Sequence, residues 1–109
     1  MIKNRSELPF REEDVCGKLQ ELYDSENMSI AYTTITERTT PHKHQKMEEV
    51  YYVVKGKGKV RIGETITEIK PGDIIPIPKN IFHNIEEVES ALELLVVTYP
   101  TFDKNDVIF

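Results

Sequence analysis

From Met28 onward the chain is cut into short segments rich in β-branched and aromatic residues, each closed by a turn signal. No other feature constrains the fold as strongly. The segments are residues 28–36, 50–54, 57–62, 65–69, 74–77, 81–85 and 92–98. Gly63-Glu64, Lys70-Pro71-Gly72-Asp73 and Pro78-Lys79-Asn80 punctuate them, proline fixing φ and glycine supplying the positive φ that many turns need. Strands spaced roughly 8–12 residues apart predict a sandwich or barrel rather than βαβ units, so the expected fold class is all-β.

The 109 residues suffice for one domain with one core. Its expected parts are an N-terminal extension over 1–27, a barrel over 28–103 and a tail over 104–109. Residues 11–23 read two ways. Val15, Leu19, Leu22 and Tyr23 fit a helical stripe behind an acidic Glu12-Glu13-Asp14 start. Gly17 weakens that helix and suits instead the opening of a strand over 18–23 that turns at Asp24-Ser25-Glu26-Asn27. The tail ends Val107-Ile108-Phe109, too apolar to stay free, and is expected to dock on the barrel or on a partner subunit.

A net charge of −5 argues against nucleic acid, which needs a basic stripe. The nearest approach to one is Lys55, Lys57, Lys59 and Arg61, at alternate positions. On a strand these share a face, read here as a solvated outer face that blunts edge pairing. No apolar run is long enough to cross a bilayer, and polar residues follow Met1-Ile2-Lys3-Asn4-Arg5 where a signal peptide would turn apolar. No membrane partner is expected, and the expected location is cytoplasmic. The lone Cys16 fits a reducing compartment and reads more as a small buried apolar residue than as a reactive thiol.

The chemistry lies in the histidines. His42 and His44 are two apart, so on a strand both imidazoles project from one face. Four loop-like residues separate them from Glu49, which opens the 50–54 strand and whose carboxylate a hairpin could return beside the imidazoles. His83 follows 34 positions later, behind the turn at 78–80, and could arrive from across the barrel. Imidazoles suit one divalent ion of the Mn, Fe, Zn, Ni or Cu kind, and the carboxylate offsets part of its charge. Each piece alone is weak. A lone H-x-H is more often surface or hydrogen-bonding, a glutamate before a strand is usually solvated, and His83 behind Phe82 could be a core histidine.

The combination resembles the two motifs of the cupin superfamily. The first has the shape G-x5-H-x-H-x3–4-E-x6-G, and here His42, His44, Glu49 and Gly56 fall in place while Thr36 replaces the opening glycine. The second, G-x5-P-x-G-x2-H-x3-N, is matched by Gly72, Pro78 and His83, with Asn80 in place of glycine and Glu87 in place of asparagine. Asn tolerates left-handed backbone better than other non-glycine residues, so Asn80 is a mild departure. The resemblance covers about residues 28–103. It implies a jelly-roll β-barrel of six to eight strands with the metal at its centre, held by His42, His44, Glu49 and His83, and often a homodimer. It does not imply one reaction.

Three readings of function follow. In the first, a metal-dependent oxygenase- or isomerase-like enzyme acts on a small carbonyl, enol or aromatic compound in a largely apolar pocket. Strand parity puts Tyr51 and Val53 on the face of Glu49, Ile81 and Ile85 on that of His83, and Tyr32 with Thr34 on the inner face of the first strand. Tyr51 and Tyr32 are the candidate pocket residues. In the second, the barrel is a non-catalytic module that binds or senses a small molecule. In the third, the ion only stabilises the fold. Outward on the central strand, Val50, Tyr52 and Val54 are too apolar for a solvated face. With Val107, Ile108 and Phe109 they suggest a two-fold interface of more than about 1,000 Å².

Overall fold

A computed structural model describes residues 2–109. It contains seven strands: β1 (Arg11–Glu13), β2 (Gly17–Asp24), β3 (Ser29–Ile35), β4 (Glu48–Ile62), β5 (Thr65–Ile69), β6 (Ile74–Ile77) and β7 (His83–Tyr99). All pair antiparallel in the order β1-β2-β3-β7-β4-β5, with β6 also on β4. The result is the expected all-β jelly-roll barrel. Its core, among it Ile35, Tyr51, Val53, Val60, Ile69, Ile75, Ile85, Leu92 and Leu94, forms one cluster of buried side chains.

Residues 11–24 form two strands joined by a turn at 14–16, not a helix. β1 and β2 pair with each other, and β2 continues the sheet through β3. Two pairs of expected strands are fused. Residues 50–54 and 57–62 run together as β4, and 92–98 joins the preceding segment as β7. Ile81 stands before β7, which begins at His83.

One bend in β4 matters for everything that follows. Glu49, Tyr51, Val53, Lys55, Lys57, Lys59 and Arg61 all occupy odd positions, so an unbroken strand would send all of them to one face. Instead Glu49, Tyr51 and Val53 are buried, whereas beyond the bend Gly58 and Val60 are the buried ones. Between Val53 and Gly58 the register with β7 slips repeatedly. Gly56 lies in this irregular stretch with φ +89°, and a Cβ there would run into the carbonyl oxygen of Ala91. Each bulge adds a residue to one strand and re-aims those beyond it. The bend therefore keeps the cations out of the barrel that Glu49 faces.

The cations do not blunt an edge, contrary to the sequence reading, because β4 is internal, with β7 on one side and β5 and β6 on the other. They meet the acids of β7 instead: Lys59 lies 3.2 Å from Glu87 and Arg61 3.1 Å from Glu86. Glu87, at the family's asparagine position, thus sits on the outer surface. Val50, Tyr52 and Val54 also face outward and remain exposed. Their cross-strand partners add Leu95 and Val97 on β7 and Ile74 and Pro76 on β6 to the same apolar face.

Among the described residues no helix is long and apolar enough to cross a membrane.

Candidate metal centre

His42 and His44 do not lie in a regular strand. Residues 42–44 are an extended segment held from two sides. His42 exchanges backbone hydrogen bonds with His83 (3.1 and 2.9 Å), and Lys43 does so with Ile108 (2.9 Å each). The i, i+2 relation still sends both imidazoles to one side. The Asn80 N–H donates to the His44 carbonyl at 2.7 Å, and Asn80 has φ +63°, the left-handed backbone the sequence reading allowed it. That hydrogen bond ties the turn at 78–80 to the His44 segment and brings β7 in with His83 first. Glu49 enters from the second residue of β4, facing inward, and its neighbour Met47 anchors the connecting loop in the interior.

The four side chains converge. One ligand atom from each of His42, His44, Glu49 and His83 lies within 4.8 Å of the others, and all four residues are buried. Ring centroids stand 4.4–5.3 Å apart. Ligands on opposite sides of an ion with bonds of about 2.0–2.2 Å are up to about 4.4 Å apart, so the widest pair needs to close only by a few tenths of an ångström.

The hydrogen bonds fix which nitrogen faces the centre. His42 Nδ1 meets the Thr40 carbonyl at 2.9 Å, His44 Nδ1 the Asp106 carbonyl at 2.7 Å, and His83 Nδ1 the Ile81 carbonyl at 3.2 Å. A carbonyl only accepts, so each Nδ1 carries the proton and each Nε2 keeps its lone pair for the centre. His44 Nε2 and His83 Nε2 lie 3.0 and 3.1 Å from the same Glu49 oxygen. These are close approaches without hydrogen-bond geometry, and all three atoms are buried without a hydrogen-bond partner. Orphaned buried atoms of this kind are costly unless something satisfies them. Three imidazoles, one carboxylate and three unsatisfied tips fit a divalent cation.

Without an ion, the electrostatics ready Glu49 and His42 for ligation but favour a proton on His44, which an ion would displace. Burial pushes the Glu49 carboxyl up, but the adjoining His44 and His83 more than reverse this and hold it at about 2. Burial, with His83 adding, lowers His42 to about 4, so it stays neutral and able to ligate. His44 is raised, because Glu49 and the Asp106 carbonyl override its burial.

Above the cluster is a narrow cavity, about 60 Å³, bordered by His42, His44, Glu49, Tyr51, Thr33 and Ile85, with Arg11, Glu13 and Cys16 among its outer residues. Tyr51 lines it, its ring centroid 6.3 Å from that of His83. Burial, with Glu49 and Cys16 adding, raises the Tyr51 phenol well above its ordinary value, so it remains a donor. The Thr33 hydroxyl is fully buried and lacks a partner.

Tyr32 corrects the sequence reading. The inward set of β3 is Ser29, Ala31, Thr33 and Ile35, the opposite parity to Tyr32 and Thr34. Tyr32 is buried on the outer side, where the Arg5 guanidinium covers its ring at 3.8 Å and its hydroxyl donates to Glu93 at 2.6 Å. An N-terminal segment invisible to strand parity buries it. Ile81 likewise does not line the cavity, although its carbonyl orients His83.

The sequence reading missed Arg11, Glu13, Thr33 and Asp106. The first two alternate along a strand, a signal obscured by the competing helical stripe. Asp106 showed nothing beyond a polar turn. Cys16 does border the cavity, but burial first, then Glu13 and Glu49, push its thiol up to about 12, so it is no thiolate.

Over 82 residues, 74% of this chain, the sequence is 32% identical to an uncharacterized protein of Methanocaldococcus jannaschii. Over 76 residues, 70% of the chain, it is 29% identical to a gentisate 1,2-dioxygenase of Haloferax. The matches span 66% and 21% of those proteins' lengths. The fold is similar to that of Pac13, a nucleoside dehydratase, with a TM-score of 0.85 at 15% identity, covering 98% of this chain and 88% of that one. Residues 33–98, more than half of the chain, match the family model of the cupin domain, and the chain belongs to the cupin family.

Proposed function

We propose that this protein is a metal-dependent enzyme of the oxygenase or isomerase kind, acting on a small carbonyl, enol or aromatic compound. The observation that carries the reading is the buried convergence of His42, His44, Glu49 and His83 beneath a cavity, with Nε2 of His44 and His83 and one Glu49 oxygen unpartnered. These four residues would hold one divalent ion. Four protein ligands would close the sphere of a tetrahedral ion, whereas an ion taking five or six ligands would keep one or two positions open toward the cavity. When bound, such an ion would supply Lewis-acid polarisation of a substrate oxygen or redox activation of O2.

The chain's own groups account for the rest. Tyr51, a phenol at all physiological pH, donates a hydrogen bond to an oxygen of the substrate as charge develops there. Thr33 offers a second hydroxyl with no competing partner. Ile35, Ile85, Leu94 and Val96 make the walls apolar and limit water, and the small volume selects a small compound. Among the lining residues Arg11 is outnumbered by Glu13, Glu21 and Glu49, which disfavours a phosphorylated substrate. Relatives with dioxygenase and dehydratase activity share the family or the fold, so the reaction is chosen by the pocket and not by the barrel. The protein works in the cytoplasm as a homodimer through the face that contains Val50, Tyr52 and Val54. Residues 28–103 are its catalytic barrel, the strands β1 and β2 an N-terminal extension that continues the sheet and borders the cavity, and 104–109 a docked tail.

The test is metal analysis of protein purified without an affinity tag, followed by O2-uptake and isomerisation screens over small carbonyl and aromatic compounds. One equivalent of ion in the wild type, lost in His42→Ala and His83→Ala with the fold retained, is the expected result. A stoichiometric ion with tight ligand binding but no turnover would favour the non-catalytic module. Equal metal content in the wild type and both variants would refute the site.

A further inference from the structure

We propose that the C-terminal tail is a clasp that presets the His44 arm of the metal centre, with Asp106 as its positioning residue; the inference rests on the metal reading above. The tail touches every residue from Lys43 to Met47. The Asp106 carboxylate accepts hydrogen bonds from three successive backbone N–H groups, Gln45 (2.9 Å), Lys46 (2.9 Å) and Met47 (3.1 Å). Its backbone carbonyl accepts the His44 Nδ1 proton at 2.7 Å. Two residues on, Ile108 exchanges both backbone hydrogen bonds with Lys43. Asp106 is 4% exposed, although it lies three residues from the last residue of the chain.

The other two histidines need no such help. His42 and His83 each donate to the carbonyl two residues before them, Thr40 and Ile81, so their own strand-like backbone orients them. His44 has no local acceptor, and its ring is aimed by a residue 62 positions away. The loop that joins it to Glu49 has the same dependence, because Gln45, Lys46 and Met47 direct their N–H groups at one carboxylate. The tail is itself shaped in advance, since the Asp103 side chain accepts from Asn105 N–H and its carbonyl from Asp106 N–H, both at 2.9 Å. Removing the clasp frees the His44 ring to rotate and the loop to open. Changes to groups that orient a metal ligand typically weaken ion binding about 10–100-fold.

The test compares wild type, Asp106→Asn and a chain lacking residues 108–109. Asp106→Asn keeps the shape but turns an NH2 group toward backbone donors, and the deletion removes the Lys43–Ile108 pair while leaving the Asp106 carboxylate in the chain. Protein stripped with a chelator is titrated with Mn²⁺ or Zn²⁺ by calorimetry. Without metal, amide exchange at Gln45, Lys46 and Met47 and the His44 Nδ1–H signal are followed by NMR. The expected result for Asp106→Asn is ion binding weaker by about 10–100-fold, faster exchange at those three amides and a lost Nδ1–H signal. The deletion should fall between it and wild type, and it decides the matter should Asp106→Asn fail to fold. Unchanged affinity overturns the clasp, even with faster exchange, which would make Asp106 a stability residue only. If wild type and His42→Ala bind ion equally, the metal reading itself falls.

Discussion

Gly56→Ala measures the bend that keeps the cations of β4 out of the barrel that Glu49 faces. Gly56 has φ +89° and Gly72 has φ +94°, so alanine meets similar backbone strain at either position, about 1–2 kcal/mol. A smaller unfolded ensemble returns about 0.4–1 kcal/mol to both variants. Their surroundings differ. At Gly72 nothing lies within 4 Å of the added Cβ. At Gly56 the Cβ would collide with the Ala91 carbonyl oxygen and stand 2.7 Å from its carbon and 2.9 Å from Leu92 Cα, all backbone that no side-chain rotation relieves. Overpacking of this kind typically costs about 1–3 kcal/mol. Gly72→Ala should therefore lose about 1 kcal/mol and Gly56→Ala about 1–3 kcal/mol more. At about 4–8 °C per kcal/mol for a domain near this size, their melting temperatures should differ by at least about 4 °C. Urea and thermal unfolding of the two variants side by side read the difference. Equal loss in both would show that the approach of Gly56 to β7 is not what holds the bend.

Tyr51→Phe should lower turnover, or ligand affinity if the module is non-catalytic, by about 10²-fold, whereas Tyr32→Phe should leave both unchanged. The outer tyrosine should cost only about 1 kcal/mol of stability through its lost bond to Glu93, read by urea unfolding. For the metal-free protein, His42 at about 4 lies below its ordinary value of 6.5, so on acidification the unfolded chain takes up its proton first. Stability should fall between about pH 6.5 and pH 4, and His42→Ala should flatten that fall, a comparison that cancels the opposing effect of His44, whose value is raised. The wild type should scatter light as a dimer at micromolar concentration, and Tyr52→Glu, placing a charge amid Val50, Val54, Leu95 and Ile74, should give a monomer.

The convergence of the four candidate ligands was legible in the sequence because its parts are local patterns with fixed consequences. An i, i+2 pair of histidines in extended backbone projects to one side whether or not it belongs to a regular strand. Turn residues that bring a distant strand back, such as Pro78 and Asn80, are chemically distinctive, and Asn80 takes the positive φ that its identity allowed. The all-β class was written in the spacing of β-branched segments and turns. What only the tertiary structure decided were the properties that arise when elements meet. Parity along β4 depends on bulges against β7, since period-2 reasoning breaks wherever one strand gains a residue on its partner. Tyr32 is buried by an N-terminal segment that strand alternation does not register. Asp106 acquires its hydrogen bonds only by touching a loop 59–61 positions earlier, because a carboxylate gives no sequence sign of which backbone amides it will meet.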